Sequence, residues 1–442
     1  MRTAAGLIQM RVSIYLGHTP RHWGDPVKLR TKSARLLVVM LTGSLLAAAC
    51  GDDGGQARAD GTSSTVSSED VVEPASGEPI TIGFVNMEDG PLAQPAMGDA
   101  AEAARQYINN ELGGINGRPL EFDKCVTSGA PDSSAQCANQ LVASGVPVAY
   151  QGLDYGNAAL HPILEAAGIP WVGQEPFTSL DYQSGYHFSG SQVAYALGAG
   201  IYLRDEIKPK RVTILSYTTP TAQAAIDAYL RPAMEASGAA VEVVNADFGA
   251  PDMSVPVGAA LATDPDAIIF FMADADCTKV VTAADQLGYD GVLIAGPCGT
   301  FVKDAGAAAE GVYALADVYS VDDLSKAPKR AAADVQAYVD AMGEYAPDRD
   351  LDVFTQFVFA GLVNLATVLG QVKGDITSES VTAALEATED VPSFMADTFG
   401  CAGLLTDLAP SICAANILVL QAHSGKLVQL SDDFIHSPTL FG

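Results

Sequence analysis

Apolar and polar positions alternate in blocks along most of this chain. ITIGFVN (Ile80–Asn86) is an apolar run that reads as a buried strand. A helix is expected over Gln94–Leu112, where Ala100, Ala103, Ala104, Tyr107 and Ile108 recur at helical spacing. GGINGRPLEF (Gly113–Phe122) reads as a turn into a second strand, and Ser133–Ser144 as a helix. Then come a strand at Val146–Gly152, a helix at Ala158–Ala167 and a strand at Ile169–Gly173. The rhythm restarts after a helix at Gln192–Glu206. Strands are expected at Arg211–Tyr217, Ala240–Ala246, Asp266–Met272 and Val292–Gly296, with helices at Ala222–Ser237, Val255–Thr263 and Thr278–Leu287 between them. A further strand is expected at Gly311–Ser320. Three helices follow, Ala327–Tyr345, Asp352–Val372 and Val381–Thr388, then a hairpin over Asn416–Leu430 turning at His423–Lys426. Strands alternating with helices over short links point to the α/β class and parallel sheets with crossover helices.

The start of the chain follows another pattern. Leu36–Ala49 (LLVVMLTGSLLAAA) is an apolar run preceded by Lys28, Arg30, Lys32 and Arg35 and followed by Cys50. A basic flank, an apolar stretch and small residues before a processing point describe a secretory signal. The run is shorter than the roughly 20 residues that a spanning helix needs. Cys50 directly after the small residues resembles the lipobox of bacterial lipoproteins, with Leu46 one step from the usual Leu position, held here by Ala47. The resemblance implies that Cys50 is lipidated and becomes the new N-terminus. Residues 1–49 are therefore expected to be removed, with translation starting near Val27. Residues 50–78, rich in Gly, Ser, Thr and acids, are expected to be a flexible tether.

Loss of residues 1–49 takes the chain from 24 basic and 53 acidic residues to 17 and 52, a formal charge of −35. No basic patch survives, so nucleic acid is not an expected partner. The 393 residues from Cys50 onward exceed what one core usually holds, so two lobes are expected. Seven cysteines less Cys50 leave six, which allow 15 pairings. Proximity along the chain favours Cys125–Cys137, Cys277–Cys298 and Cys401–Cys413, in a compartment where disulfides persist. No CxxC occurs and the histidines are scattered, so no metal or other cofactor is expected. Neither a GxSxG turn nor a Ser/His/Asp set is suggested, and the chain reads as a binding protein, not an enzyme.

Several strings carry a family resemblance: ITIGFVN, GGINGRPLEF, VAYQG with LHPILEAAGIPWV, KPKRVTIL, DPDAIIFF, and GPCGTFVKDAG with EGVYAL. Over roughly Ile80–Leu430 the chain resembles the type I periplasmic binding proteins, specifically the branched-chain amino-acid receptors of ABC importers. The resemblance implies two doubly wound parallel-sheet lobes joined by a three-strand hinge, 79–195 with 322–412 and 196–321 with 413–442. It implies a small solute held between the lobes, delivery to a permease with two ATPase subunits, and an exported monomer held by lipid on the outer face of the cytoplasmic membrane. No GxxxxGK[ST] loop is present, so the chain does not itself hydrolyse ATP. A receptor signalling to a membrane kinase shares the fold and is the alternative.

The same resemblance places the ligand among the loops that follow the strands. Asp154 falls near a hydroxyl that grips the ligand carboxylate in relatives and would repel one, leaving Tyr155 or Asn157 as substitutes. Thr178 is kept, and Glu175 and Phe177 are added beside it. Tyr217, Thr221 and Asp274 are expected from the second lobe, where the acid that pairs with a ligand ammonium is replaced near Cys298. Glu88, Asp89, Asp154, Glu175, Asp274 and Asp276 predict an acidic mouth suited to a cationic or hydroxyl-rich solute.

Overall fold

The structure is a computed structural model; it describes residues 72–437 except 91, 297 and 404–406, and not the side chain of Thr221. The signal, Cys50 and the tether as far as residue 71 lie outside the described residues. The expected tether reaches 78, but the chain is already bonded to the body before that. Ala75 N donates to Asn109 O at 2.8 Å and Gly77 N to Gly117 O at 2.9 Å.

The first sheet has five strands, β1 (Ile80–Met87), β2 (Leu120–Thr127), β3 (Ala149–Gln151), β4 (Trp171–Gly173) and β5 (Tyr186–His187), in the order β2-β1-β3-β4-β5. Each neighbouring pair is parallel. The second sheet begins with β6 (Arg211–Tyr217), β7 (Ala240–Ala246), β8 (Ala267–Phe270), β9 (Val292–Ala295) and β10 (Tyr313–Ala316). Those five are parallel, in the order β10-β9-β8-β6-β7. A two-residue hairpin, β11 (Val391–Pro392) with β12 (Thr398–Phe399), stands apart. The second sheet is completed by β13 (Asn416–His423), β14 (Lys426–Gln429) and β15 (Ile435–His436), all antiparallel, so it is mixed and not purely parallel. The β13–β14 turn is where the sequence places it, with positive φ at Ser424 and Gly425 as a tight hairpin turn requires.

The central strands are apolar because both of their faces are covered, whereas the edge strands β2 and β7 carry exposed polar residues. In β6, Val212 and Ile214 join one core cluster while Leu215 and Tyr217 join the other; in β8, Ala267 and Ile269 alternate with Ile268 and Phe270. Each such fully buried aliphatic side chain contributes about 1.5–3 kcal/mol. Helix Val353–Gln371 is long and apolar enough to cross a membrane, but most of it is buried inside the fold. Its first turn is closed by a capping box between Asp352 and Thr355. Gly361 lets it seat closely: a Cβ there would collide with the Tyr150 hydroxyl and lie 2.9 Å from Gln174 Cβ.

Two expected helices contain a π turn. Gln192–Glu206 is helix Ser191–Tyr202 running into a π turn at Leu203–Ile207, and Ala222–Ser237 is interrupted by one at Ile226–Leu230. The helix expected from Thr278 begins at Asp274, whose acids Asp274 and Asp276 occupy its first turn. All three expected disulfides are formed, with Cα separations of 5.6 Å for Cys125–Cys137, 6.4 Å for Cys277–Cys298 and 4.4 Å for Cys401–Cys413.

Candidate functional site

The loop that leaves β4, Gln174 to Asp181, organises the first lobe's share of the site. Its end, Asp181, is fully buried. Seven donor groups lie within 3.2 Å of its carboxylate. Oδ1 receives Asn157 Nδ2 (2.7 Å), Trp171 Nε1 (3.1 Å) and His161 Nε2 (3.1 Å). Oδ2 receives Gln151 Nε2 (3.2 Å), Phe177 N (3.2 Å), Thr178 N (2.9 Å) and the Thr178 hydroxyl (3.0 Å). Burial alone would raise its pKa, but the His161 bond, the neighbouring histidines and Gln151 bring it down to about 2. Behind it, His187 Nε2 reaches Gln151 Oε1 at 3.3 Å, and burial lowers that imidazole to about 4.

This hub uses up side chains expected to meet the solute. Asn157 is turned inward, donating to Asp181 and facing the Thr178 hydroxyl at 3.1 Å. Asp154 is also fully buried, accepting from Thr127 Oγ1 and Ser134 Oγ at 3.0 Å each and from Gly156 N at 3.2 Å. Burial raises its pKa against those donors. It therefore holds the β2 and β3 loops together and does not face the cleft as a free charge.

In the second lobe Tyr217 plays a similar inward part. Its hydroxyl donates to Asp276 Oδ2 at 2.7 Å and accepts from Ala273 N at 2.9 Å, while its ring meets Phe248 edge-on at 5.1 Å. Asp276 is buried, yet its pKa is lowered because Lys279 at 2.8 Å and Tyr217 outweigh that burial. Glu88 is likewise paired, with Lys124 at 2.8 Å. The acidic mouth read from the sequence is thus thinner than expected.

Of the expected residues, Tyr155 is half exposed and Phe177 and Asp274 are half-buried. Asp274 accepts from Gly299 N at 2.9 Å and Thr300 N at 3.2 Å, which ties the loop after β9 to the helix after β8. The Thr221 side chain lies outside the described residues. Glu175 is buried at the passage between the sheets, bonded to Tyr195 Oη at 3.0 Å and Ser191 Oγ at 3.2 Å. Beside it a recess lined by Gln174, Ser189, Asp317, Ser393 and Asn416 has a cavity volume of about 10 Å³, room for one water and far too little for a solute.

A family model for periplasmic binding proteins matches residues 79–406, most of the chain. The chain belongs to the periplasmic binding protein family. Among solved structures, this binding protein is similar to the leucine-binding protein LivK of Thermotoga maritima, with a TM-score of 0.65, 16% identity, and coverage of 81% of this chain and 99% of that one. It is similar to the branched-chain amino-acid binding protein LivJ of Streptococcus pneumoniae, solved with isoleucine, with a TM-score of 0.63, 19% identity, and coverage of 81% and 100%. It is also similar to a fatty acid ABC transporter substrate-binding protein of Thermomonospora curvata, with a TM-score of 0.66, 14% identity, and coverage of 83% and 95%. At these identities the likeness is one of fold. Comparison with curated protein sequences finds no match.

Three buried residues of this binding protein escaped the sequence reading: Asp181 in the first-lobe hub, and Tyr195 and Asp317 at the passage between the sheets. In a chain this acidic, the two aspartates look like surface charge until their burial is known. Tyr195 looks like an ordinary apolar helix position.

Proposed function

We propose that this periplasmic binding protein is an exported, lipid-anchored receptor that captures a small polar solute between its lobes and hands it to an ABC permease with its ATPase subunits. The observation that carries the reading is the family match over 79–406, combined with two sheets whose parallel strands end in site loops. Ligands of such sheets sit beyond the carboxyl ends of the strands. The signal pattern and Cys50 support export and lipidation, with the protein acting as a monomer on the outer face of the cytoplasmic membrane.

We place the chain's crossings between lobes at 188–190, 317–319 and 413–415. Helix Ser191–Tyr202 packs against β13 and β10 of the second sheet, so 191–195 goes with the second lobe. Tyr319 N bonds Met395 O, and Cys413 N bonds His187 O, which ties the ends of the other two crossings to the first lobe. Tyr155 and Phe177 are the expected contacts still available to a solute, with Asp274 offering only the oxygen not bonded to Gly299 N and Thr300 N. With Asp154, Asn157 and Thr178 engaged internally, the usual grip on an amino-acid carboxylate is weakened. A solute related to an amino acid but bound differently fits best.

The test is a screen of pooled amino acids, polyamines, sugars, aromatic acids and nucleosides by thermal shift, with Trp171 emission followed in parallel. One or more pools should raise Tm in a saturable way, as ligand linkage requires. A folded protein with a flat response to every pool would contradict the reading.

A further inference from the structure

Glu175 and Asp317 converge on a single phenol. Tyr195 Oη lies 3.0 Å from Glu175 Oε1 and 3.0 Å from Asp317 Oδ1. A phenol carries one proton and donates to one acceptor at a time. Ser191 Oγ supplies Glu175 Oε2 at 3.2 Å, while Asp317 Oδ2 is enclosed without a well-formed hydrogen bond, the Ser189 and Tyr195 hydroxyls being the donors beside that carboxyl. Glu175 is 3% exposed and Asp317 5%. None of the ion pairs among the described residues reaches either carboxyl. Two full negative charges placed there would face each other without a cation, which is strongly unfavourable. A proton between them removes one charge and supplies the missing donor.

We propose that Glu175 and Asp317 share one proton, and that this proton latches the hinge of the two-lobed fold. The position carries the second half of the claim. Glu175 leaves β4 of the first lobe, and Asp317 opens the second crossing directly after β10. Tyr195 and Ser191 lie on the helix that follows the first crossing, and Ser189 within that crossing lines the adjoining recess. Ala414 and Asn416, at the third crossing, line the same recess. The proton-holding cluster thus spans the first two connections between the lobes and, through Asp317, shares a recess with the third. When the proton leaves, the two carboxylates repel across the crossings and the hinge loosens.

The other titratable groups around the pair do not replace that proton. Tyr195 is buried and Tyr182 half-buried, and desolvation with the nearby carboxyls raises both phenols, so they stay neutral. Tyr182 in turn faces Tyr229, at 6.4 Å between ring centres. Asp397 lines the far side of the recess with His436 at 3.6 Å. Burial, then Asp317, push Glu175 well above the ordinary carboxylate range, and burial raises Asp317 as well, in the same sense as the geometry.

Infrared spectroscopy tests the proton directly, without any solute. At about pH 7 the disulfide-intact protein should show the carbonyl band of a protonated carboxylic acid, lost in both Glu175→Gln and Asp317→Asn. Hydrogen exchange tests the latch. Protection of 188–190, 317–319 and 413–415, corrected for intrinsic exchange, should fall at least several-fold as pH rises above neutrality, and stay constant in E175Q. Absence of the acid band in the folded protein, or its persistence in both variants, would overturn the shared proton. Protection at the crossings that is independent of pH would overturn the latch. The wild-type measurements decide both points even where a variant folds poorly.

Discussion

Asp181 and Glu175 sit on the same short loop after β4, both buried, and meet opposite fates. Asp181 is surrounded by donors from Gln151, Asn157, His161, Trp171 and Thr178, and its pKa is brought down to about 2, so it stays charged. Glu175 has two hydroxyls and another carboxyl for company, and is pushed up by burial and by Asp317. Burial is common to both, so it does not decide which acid stays charged; the supply of donors does. One end of the loop is a fixed anchor for the first-lobe side of the cleft. The other sits at the hinge with its protonation open to change.

The largest effect should come from removing the anchor. Asp181→Asn strands several buried donors around a neutral amide and is expected to cost about 3–5 kcal/mol of stability. Urea unfolding measures it, and a loss below about 1 kcal/mol would mean that the hub is decorative. Acid should attack the same hub next. His187 is lowered to about 4, so its contribution is complete above its unfolded value near 6.5 and is lost as pH falls toward 4. That loss is about 3 kcal/mol. The Asp181 contribution is complete above its unfolded value and is lost only as pH falls toward about 2. Unfolding of Glu175→Gln, which removes the opposing titration of the shared acid proton, should therefore show a decline from about pH 7 to pH 3 that begins well above the carboxylate range. A curve flat down to pH 4 would break the account of His187.

A smaller effect tests the seat beneath the loop. Gly361 faces the Tyr150 hydroxyl and Gln174, the first residue of the same loop. Gly361→Ala should cost about 1–3 kcal/mol through overpacking, and Trp171 emission should shift if the loop is displaced. The smallest effect is expected from Glu175→Gln near pH 5, within about 1 kcal/mol of wild type, because the unfolded acid has barely begun to ionise there and a neutral amide replaces a group that is protonated in the fold.

The contrast also marks what a sequence can disclose. Strands such as Arg211–Tyr217 were legible because both faces are buried, leaving a mostly apolar run in which Val212, Ile214, Leu215 and Tyr217 crowd together. The disulfides were legible because each joins near neighbours, and the β13–β14 turn because Ser-Gly tolerates positive φ. Two-residue strands such as Tyr186–His187 carry no periodicity to detect. The orientation of Asp154 and Tyr217 was hidden, because a strand-end polar residue reads alike whether it faces solvent or a neighbouring loop. Tyr195 and Asp317 meet across a separation of 122 positions, which no local pattern reports.

The most direct measurement of this contrast is urea unfolding of wild type, Asp181→Asn and Glu175→Gln between about pH 5 and pH 9. A group whose folded pKa is raised contributes stability below its unfolded value and loses it as pH rises. The advantage of Glu175→Gln over wild type should therefore grow with pH. Asp181 is ionised in both folded and unfolded states over this range, so Asp181→Asn should lower the whole curve without changing its slope. Parallel curves for wild type and Glu175→Gln, or a changed slope in Asp181→Asn, would contradict the assignment of a held proton to one acid and a fixed charge to the other.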